Sequence, residues 1–502
     1  MKNFEKNSDP NVGGMSRRDF MRNMAAMGIS AYGLSLPAKY RKNVLVDAPQ
    51  AKSKCFTNRI AFDIWLNDER TDPNPVAPWP NPVFDDLTVS SIIRAMDIQA
   101  QAGYQYVDLA GLFNTDAWPL NIEGSVTAER QARIHKILDA AHSRGLKVTV
   151  FPSGIMNWGF NTIIQNDPAV RGNNWPNWPA NCNMCPSQSK SWEYMYRIYD
   201  YVMDNFNFDG FHFESADQGR CQCSICNDRW PVGPMDAAYH AYVNAQAANY
   251  VKNKNSKMYI FMTTWGWIPK GAFFTASDKD QLVQLSHNVD CIFNQGHYGP
   301  YIPYADLSGF IDRISCDFGT SGGTWFYPPP QLQRQRWFLP YTMRVGTHIK
   351  RLYSLGGRAG LIYQGAVNNP STEVNIFCAG RQMADTTKSL SEILAESLEE
   401  LYRPKNAVVL KKLVDIFQRA ENGYFGPIPS DPDKVDAGER YFGNFDAPTV
   451  AYLGDCAQLP AYKKELQSFL VELAAIKNDF KDNGRIAAIQ TSINGVLADM
   501  PI

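Results

Sequence analysis

The sequence predicts an α/β fold, a (β/α)8 TIM barrel followed by a helical C-terminal extension, and three observations carry the prediction. Short apolar runs alternate with helix-patterned segments in a βα rhythm that fits an eightfold barrel better than an open doubly wound sheet. The runs are continuous rather than alternating, as strands covered on both faces of a parallel sheet require. No G-x-G-x-x-G follows the first run, so a nucleotide-binding sheet loses its best argument.

The elements follow in order. Residues 59–66 read as a strand ending in polar residues, before a Pro-rich loop at 72–82. A helical pattern over 88–102 stops at Gly103 and leads into a strand at 106–109. A helix over 126–144 stops at Gly145 and precedes a strand at 148–151. A third helix, 190–205, precedes the run 208–214. Then come a helix over 234–253, a strand at 258–262, a helix over 279–286 and a strand at 289–294. The seventh strand is placed at 323–327, entered from a Ser-Gly-rich turn, with no helix assigned before it. A helix over 331–355 and a strand at 359–363 complete the rhythm. Beyond Glu373 the pattern is helical, over 387–402, 407–422 and 461–480, with a polar linker at 427–436. The expected organisation is a signal segment at 1–40, a barrel at 56–370 and an extension at 371–502.

Composition bounds the partners. Lys plus Arg number 49 against 50 Asp plus Glu in 502 residues, so no basic field exists to hold a phosphate backbone, and nucleic acid is excluded. Charged residues are only 20% while aromatics reach 13%, with 12 Trp and 24 Tyr. That surface chemistry suits a neutral, flat-faced ligand. At the N-terminus, Ser16-Arg17-Arg18-Asp19-Phe20 precedes a weakly apolar stretch over 24–38 that ends in small residues. The pattern resembles a twin-arginine export signal, too short and glycine-rich for a spanning helix of ~20 residues. The expectation is a periplasmic or secreted protein, starting after Ala38 and not inserted in the membrane once the signal is removed.

Active groups of such a barrel sit where strands end, on its C-terminal face. Reading off those ends gives Asp63 with Trp65, Asp108, Ser153, Glu214 with Asp217, Thr263 with Trp265 and Trp267, Asn294 with His297, Trp325 with Tyr327, and Tyr363 with Gln364. Glycoside cleavage needs two carboxyl groups flanking the bond and flat apolar surfaces for sugar C–H faces. In Phe211-His212-Phe213-Glu214, strand alternation sends both Phe side chains under the helices and leaves Glu214 facing the cavity. Glu214 is therefore the first catalytic candidate, as proton donor or nucleophile, against a structural ion pair with Arg220. Asp217, Asp63 and Asp108 compete as the second carboxylate. His212 is read as a positioning hydrogen bonder. Trp65, Asp108, His212, Trp158, Trp265, Trp267, Asn294, His297, Trp325, Tyr327, Tyr363 and Gln364 are the expected sugar-binding set.

Cys185-Pro186-Ser187, a helix, the strand ending at Glu214, and Cys221-Gln222-Cys223-Ser224-Ile225-Cys226 resemble the central stretch of β-N-acetylhexosaminidase-like barrel glycosidases. The resemblance implies catalytic carboxylates at the end of the fourth strand. That family ends the strand with an adjacent Asp-Glu pair, and this chain has Glu214-Ser215-Ala216-Asp217 instead. The position carries over to Glu214, while an acetamido-assisted mechanism does not.

Five of ten cysteines fall between Cys182 and Cys226. The knuckles Cys182-x-x-Cys185 and Cys223-x-x-Cys226 could close a thiolate zinc site, but export favours disulfides or free thiols over zinc. No cofactor is required by the chemistry. The expected function is hydrolysis of an oligo- or polysaccharide by carboxylic acid/base catalysis. A polysaccharide lyase using His297 or Tyr298, and a barrel that binds glycans without turnover, are the rivals.

Overall fold

The computed structural model describes residues 54–63, 84–113, 118–157, 159–172, 183–216, 219–269, 272–295, 301–325, 337–364, 369–434, 440–441 and 456–500. Strands β1 (Asn58–Asp63), β2 (Tyr106–Ala110), β3 (Lys147–Phe151), β4 (Gly210–Phe213), β5 (Tyr259–Thr263), β6 (Cys291–Phe293), β7 (Asp317–Trp325) and β8 (Ala359–Gln364) pair in sequence order. All of these pairings are parallel, and β8 closes on β1. This is a TIM barrel. A two-residue β9 (Arg440–Tyr441) adds to the far end of β7 through Thr324 and Trp325.

Alternation along each strand separates two cores. Val107, Leu109, Val148, Val150, Phe211, Phe213, Ile260 and Met262 face outward into the layer under the helices. Ile60, Phe62, Tyr106, Phe151, Phe261, Phe293, Leu361 and Tyr363 face inward and fill the barrel with their own cluster. Tyr106 and Tyr259 stack at 4.5 Å within it. Between β4 and β5 the strands pack so closely that a Cβ on Gly210 would lie 2.0 Å from the Tyr259 carbonyl oxygen. Only glycine fits the first position of β4.

The surrounding helices begin and end where local chemistry dictates. Asp85 caps Asp86–Ala102 by accepting from the Thr88 N–H at 2.9 Å, and Gly103 ends it in the left-handed conformation, φ 91°. Thr127 caps Ala128–Ser143. Ser189–Asn205 buries Trp192, Met195, Ile198, Tyr199 and Val202 along one face, and Tyr199 packs on Phe211 and Phe213.

Two expectations change. The seventh strand is Asp317–Trp325 rather than 323–327, and a helix, Tyr304–Ile311, precedes it. The helix before β8 begins at Thr342 rather than 331, because Pro340 cannot supply an interior N–H.

From Pro370 the chain is predominantly helical: Pro370–Ala384, Leu390–Tyr402, Ala407–Phe425, Leu459–Ile476 and Asn483–Asp499. The first of these lies against the barrel wall. Its Ile376 carbonyl accepts from the buried Tyr104 hydroxyl at 3.0 Å, and its Met383 carbonyl accepts from the Phe56 N–H at 2.8 Å. Glu421, fully buried on Ala407–Phe425, accepts from the N–H groups of Met343 and Arg344 at 3.0 and 2.9 Å. It thereby caps the helix Thr342–Ser354 and pairs with the Arg344 guanidinium at 3.4 Å. Among the described residues, no helix is long and apolar enough to cross a membrane.

Candidate active site

Glu214 is the residue after β4, half-buried, and the β5 residue Thr263 donates its hydroxyl to Oε2 at 3.1 Å. The backbone around it is fixed too, because its carbonyl accepts from the Ile155 N–H of the β3 loop at 2.7 Å. Next along the chain, Ser215 is buried and accepts from Asn244 at 2.8 Å while meeting His240 Nδ1 at 3.1 Å. Burial, with the Arg220 guanidinium adding repulsion, holds the His240 imidazole down at about 3, so the ring is neutral.

Arg220 is committed away from Glu214. Its guanidinium binds Asp236 at 2.7 Å and the carbonyls of Cys221, Cys226 and Trp230 at 3.3, 3.4 and 2.5 Å.

Beneath Glu214 lies a buried polar chain inside the barrel. Thr149 donates to Asp108 Oδ1 at 2.7 Å, and His212 Nδ1 meets Asp108 Oδ2 at 2.8 Å. The His212 ring stacks on Phe261 at 4.5 Å and touches Phe62 and Phe151 at 5.1 Å each. Its Nε2 is buried with no partner among the described residues, as are Ser153 Oγ and Gln295 Oε1. Such atoms cost ~1–3 kcal/mol each when left unmade.

The other sequence candidates separate clearly. Asp108 is fully buried and committed to Thr149 and His212, so it is not accessible as a second carboxylate. Trp267 is 1% exposed and stacks on His240, which makes it wall rather than sugar platform. Trp265 is also buried. Asn294 is buried, with its amide bridging both backbone groups of Ile302 at 3.2 Å. Tyr363 is buried, and its hydroxyl accepts from the Gln295 amide. Asp63 and Gln364 end β1 and β8 and are paired with one another, and Trp325 ends β7. The side chains of those three residues lie outside the described part of the structure, as do Trp65, Trp158, Asp217, His297 and Tyr327 altogether.

Sequence reasoning placed Thr263 at a strand end without assigning it to Glu214, and it missed the Ser215–His240–Asn244 group behind it. The signal for Thr263 was its place at the end of the adjacent strand.

The cysteines gather differently from expectation. Cys185, Cys221, Cys223 and Cys226 hold their sulfur atoms within 4.8 Å of one another, and none forms a disulfide. Cys221 stands where Cys182 was expected, and Cys182 lies outside the described residues.

No protein family profile matches this chain, and no curated protein matches its sequence. Solved structures do match its fold. A GH138 enzyme targeting pectin rhamnogalacturonan II is similar over 88% of this chain and 70% of its own, at 10% identity and TM-score 0.52. CpGH84B is similar over 88% and 67%, at 8% identity and TM-score 0.46. An Anoxybacillus α-amylase is similar over 65% and 78%, at 13% identity and TM-score 0.39.

Proposed function

We propose that this protein is a glycoside hydrolase that cleaves an oligo- or polysaccharide, with Glu214 as the proton-exchanging carboxyl group. The observation that carries the reading is the placement of Glu214 at the mouth of the barrel, oriented by Thr263. A carboxyl aimed in this way by its neighbour can exchange a proton with a glycosidic oxygen or attack an anomeric carbon. The buried, unpartnered polar atoms of Ser153, His212 and Gln295 support a ligand that carries hydroxyl groups. The GH138 neighbour supports it at the level of the fold. Asp217 and Asp63 are the partner carboxylates in this reading. Asp108 acts through His212 as a positioning residue.

The barrel would work outside the cytoplasm after twin-arginine export. Incubation with a panel of plant, algal and host glycans tests the reading, with reducing ends and ultraviolet absorbance both followed. Hydrolysis releases reducing ends without new absorbance. Unsaturated products would make it a lyase, and binding without products a lectin-like barrel.

A further inference from the structure

We propose that Cys185, Cys221, Cys223 and Cys226 bind one Zn2+ ion through four thiolates, and that this ion holds together the two loops that frame Glu214.

The sulfur geometry distinguishes a metal from its competitors. Cys185 Sγ lies 3.6 Å from both Cys223 Sγ and Cys226 Sγ, and all four sulfurs fall within 4.8 Å of one another. A disulfide needs ~2.05 Å and would single out one pair. A tetrahedral ion with Zn–S bonds of ~2.3 Å requires sulfur–sulfur edges of about 3.8 Å. The two Cys185 edges of 3.6 Å sit close to that value, and four sulfurs converge within 4.8 Å where two disulfides would leave the pairs apart. The same compactness leaves no room for an iron–sulfur cluster, whose thiolates bind separate irons.

The surroundings fit a closed metal site. Cys185, Cys221 and Cys226 are buried, and the Ser187 hydroxyl meets Cys226 Sγ at 3.3 Å, where it can donate to a bound thiolate. A Cβ on Gly172 would press on Cys221 Sγ at 3.0 Å and on the Asn183 carbonyl at 2.7 Å, so the adjoining segment must be bare there. Four thiolates on Zn2+ leave a net negative centre. The buried Arg220 guanidinium sits beside it, holding the carbonyls of the two ligands Cys221 and Cys226. With four protein ligands no coordination position is open, so the ion is structural rather than catalytic.

What the ion would hold can be traced through the backbone. The Glu214 carbonyl accepts from Ile155 N–H at 2.7 Å, and the Met156 carbonyl accepts from Met184 N–H at 2.6 Å. Met184 is followed by the ligand Cys185. The three other ligands lie on the stretch that leaves Glu214. The metal therefore closes a circuit from Glu214 through the β3 loop to Cys185, across to Cys221–Cys226, and back. Met156 is held in the left-handed conformation at φ 70°, a non-glycine geometry that needs such support.

Elemental analysis of the full chain, purified without chelator from zinc-supplemented culture, should give about one Zn2+ per chain. Cobalt substitution should produce the thiolate charge-transfer and visible bands of a tetrahedral site. Cys223→Ser, at the partly exposed ligand, should lower bound zinc at least ~5-fold and lower the melting temperature. Zinc near zero in the parent protein, iron in its place, or thiol titration showing disulfides among these cysteines would each overturn the assignment. Unchanged zinc in both Cys223→Ser and Cys226→Ser would also overturn it. The parent-protein measurements stand whether or not the variants fold.

Discussion

Thr263 donates its hydroxyl to Glu214 at 3.1 Å, so the carboxyl group at the end of one barrel strand is aimed by the strand beside it. Catalysis by such a group depends on the proton it exchanges more than on the surface it presents. Glu214→Gln should therefore reduce kcat by at least ~10²-fold while leaving glycan affinity within a few-fold, as calorimetry on the inactive variant would read. Activity within a few-fold of the parent would remove Glu214 from its role.

The donor itself should show in a split between kcat and KM. A hydroxyl that orients a carboxyl group acts on turnover more than on binding, so Thr263→Val should lower kcat several-fold while leaving KM within a few-fold. An unchanged kcat would mean that Thr263 merely packs.

Below the site, Asp108 is fully buried with two hydrogen-bonding partners, Thr149 and His212. Removing one partner of a buried pair leaves the other uncompensated, so Asp108→Ala should cost ~3–5 kcal/mol in a urea titration. Thr149→Val, which removes one bond and keeps the shape, should cost ~1 kcal/mol.

Acid should loosen this protein in a defined window. Burial holds His240 at about 3 and His348 at about 4, against the ordinary 6.5, so both are neutral in the folded state. Their folded values are depressed, and the unfolded chain binds more protons between those values and 6.5. Stability is full above about pH 6.5 and falls by ~1.4 kcal/mol per pH unit for each histidine as pH drops toward about 4. His240→Gln should flatten that slope, measured as the urea midpoint against pH.

Glu421 offers a test far from the chemistry. It caps the helix Thr342–Ser354 from the C-terminal region, and burial raises its carboxyl pKa while Met343, Arg344 and Thr342 pull it back. Glu421→Ala should lose ~3 kcal/mol of stability, with activity per folded molecule unchanged.

The barrel was legible because its strands are apolar on both faces, and Phe208 to Glu214 states a turn, a strand and a polar end in one short run. β7 was not legible. Gly319, Thr320, Ser321, Gly322 and Gly323 contain no apolar run, and Gly319 is there because a Cβ would strike the Ala359 carbonyl oxygen at 2.1 Å. Tight strand packing selects residues that look like a turn. Strand-end position found Glu214 but could not tell accessible side chains from sealed ones. Asp108 lies in the middle of β2 rather than at its end, Trp267 and Asn294 follow strands, and each is consumed by partners elsewhere in the chain. The cysteine tetrad was half visible: two knuckles were apparent, but which of the later cysteines converge on Cys185 is a matter of loop path.

The helix Pro370–Ala384 covers β8 and the start of β1, with Met383 pressed so close that a Cβ on Gly360 would meet its sulfur at 2.3 Å. A recombinant fragment trimmed at residue 370 would strip one stave's backing from the cask and bare the apolar seam where first and last strands join. Anyone cutting this chain down to a minimal enzyme should place the cut well beyond that helix.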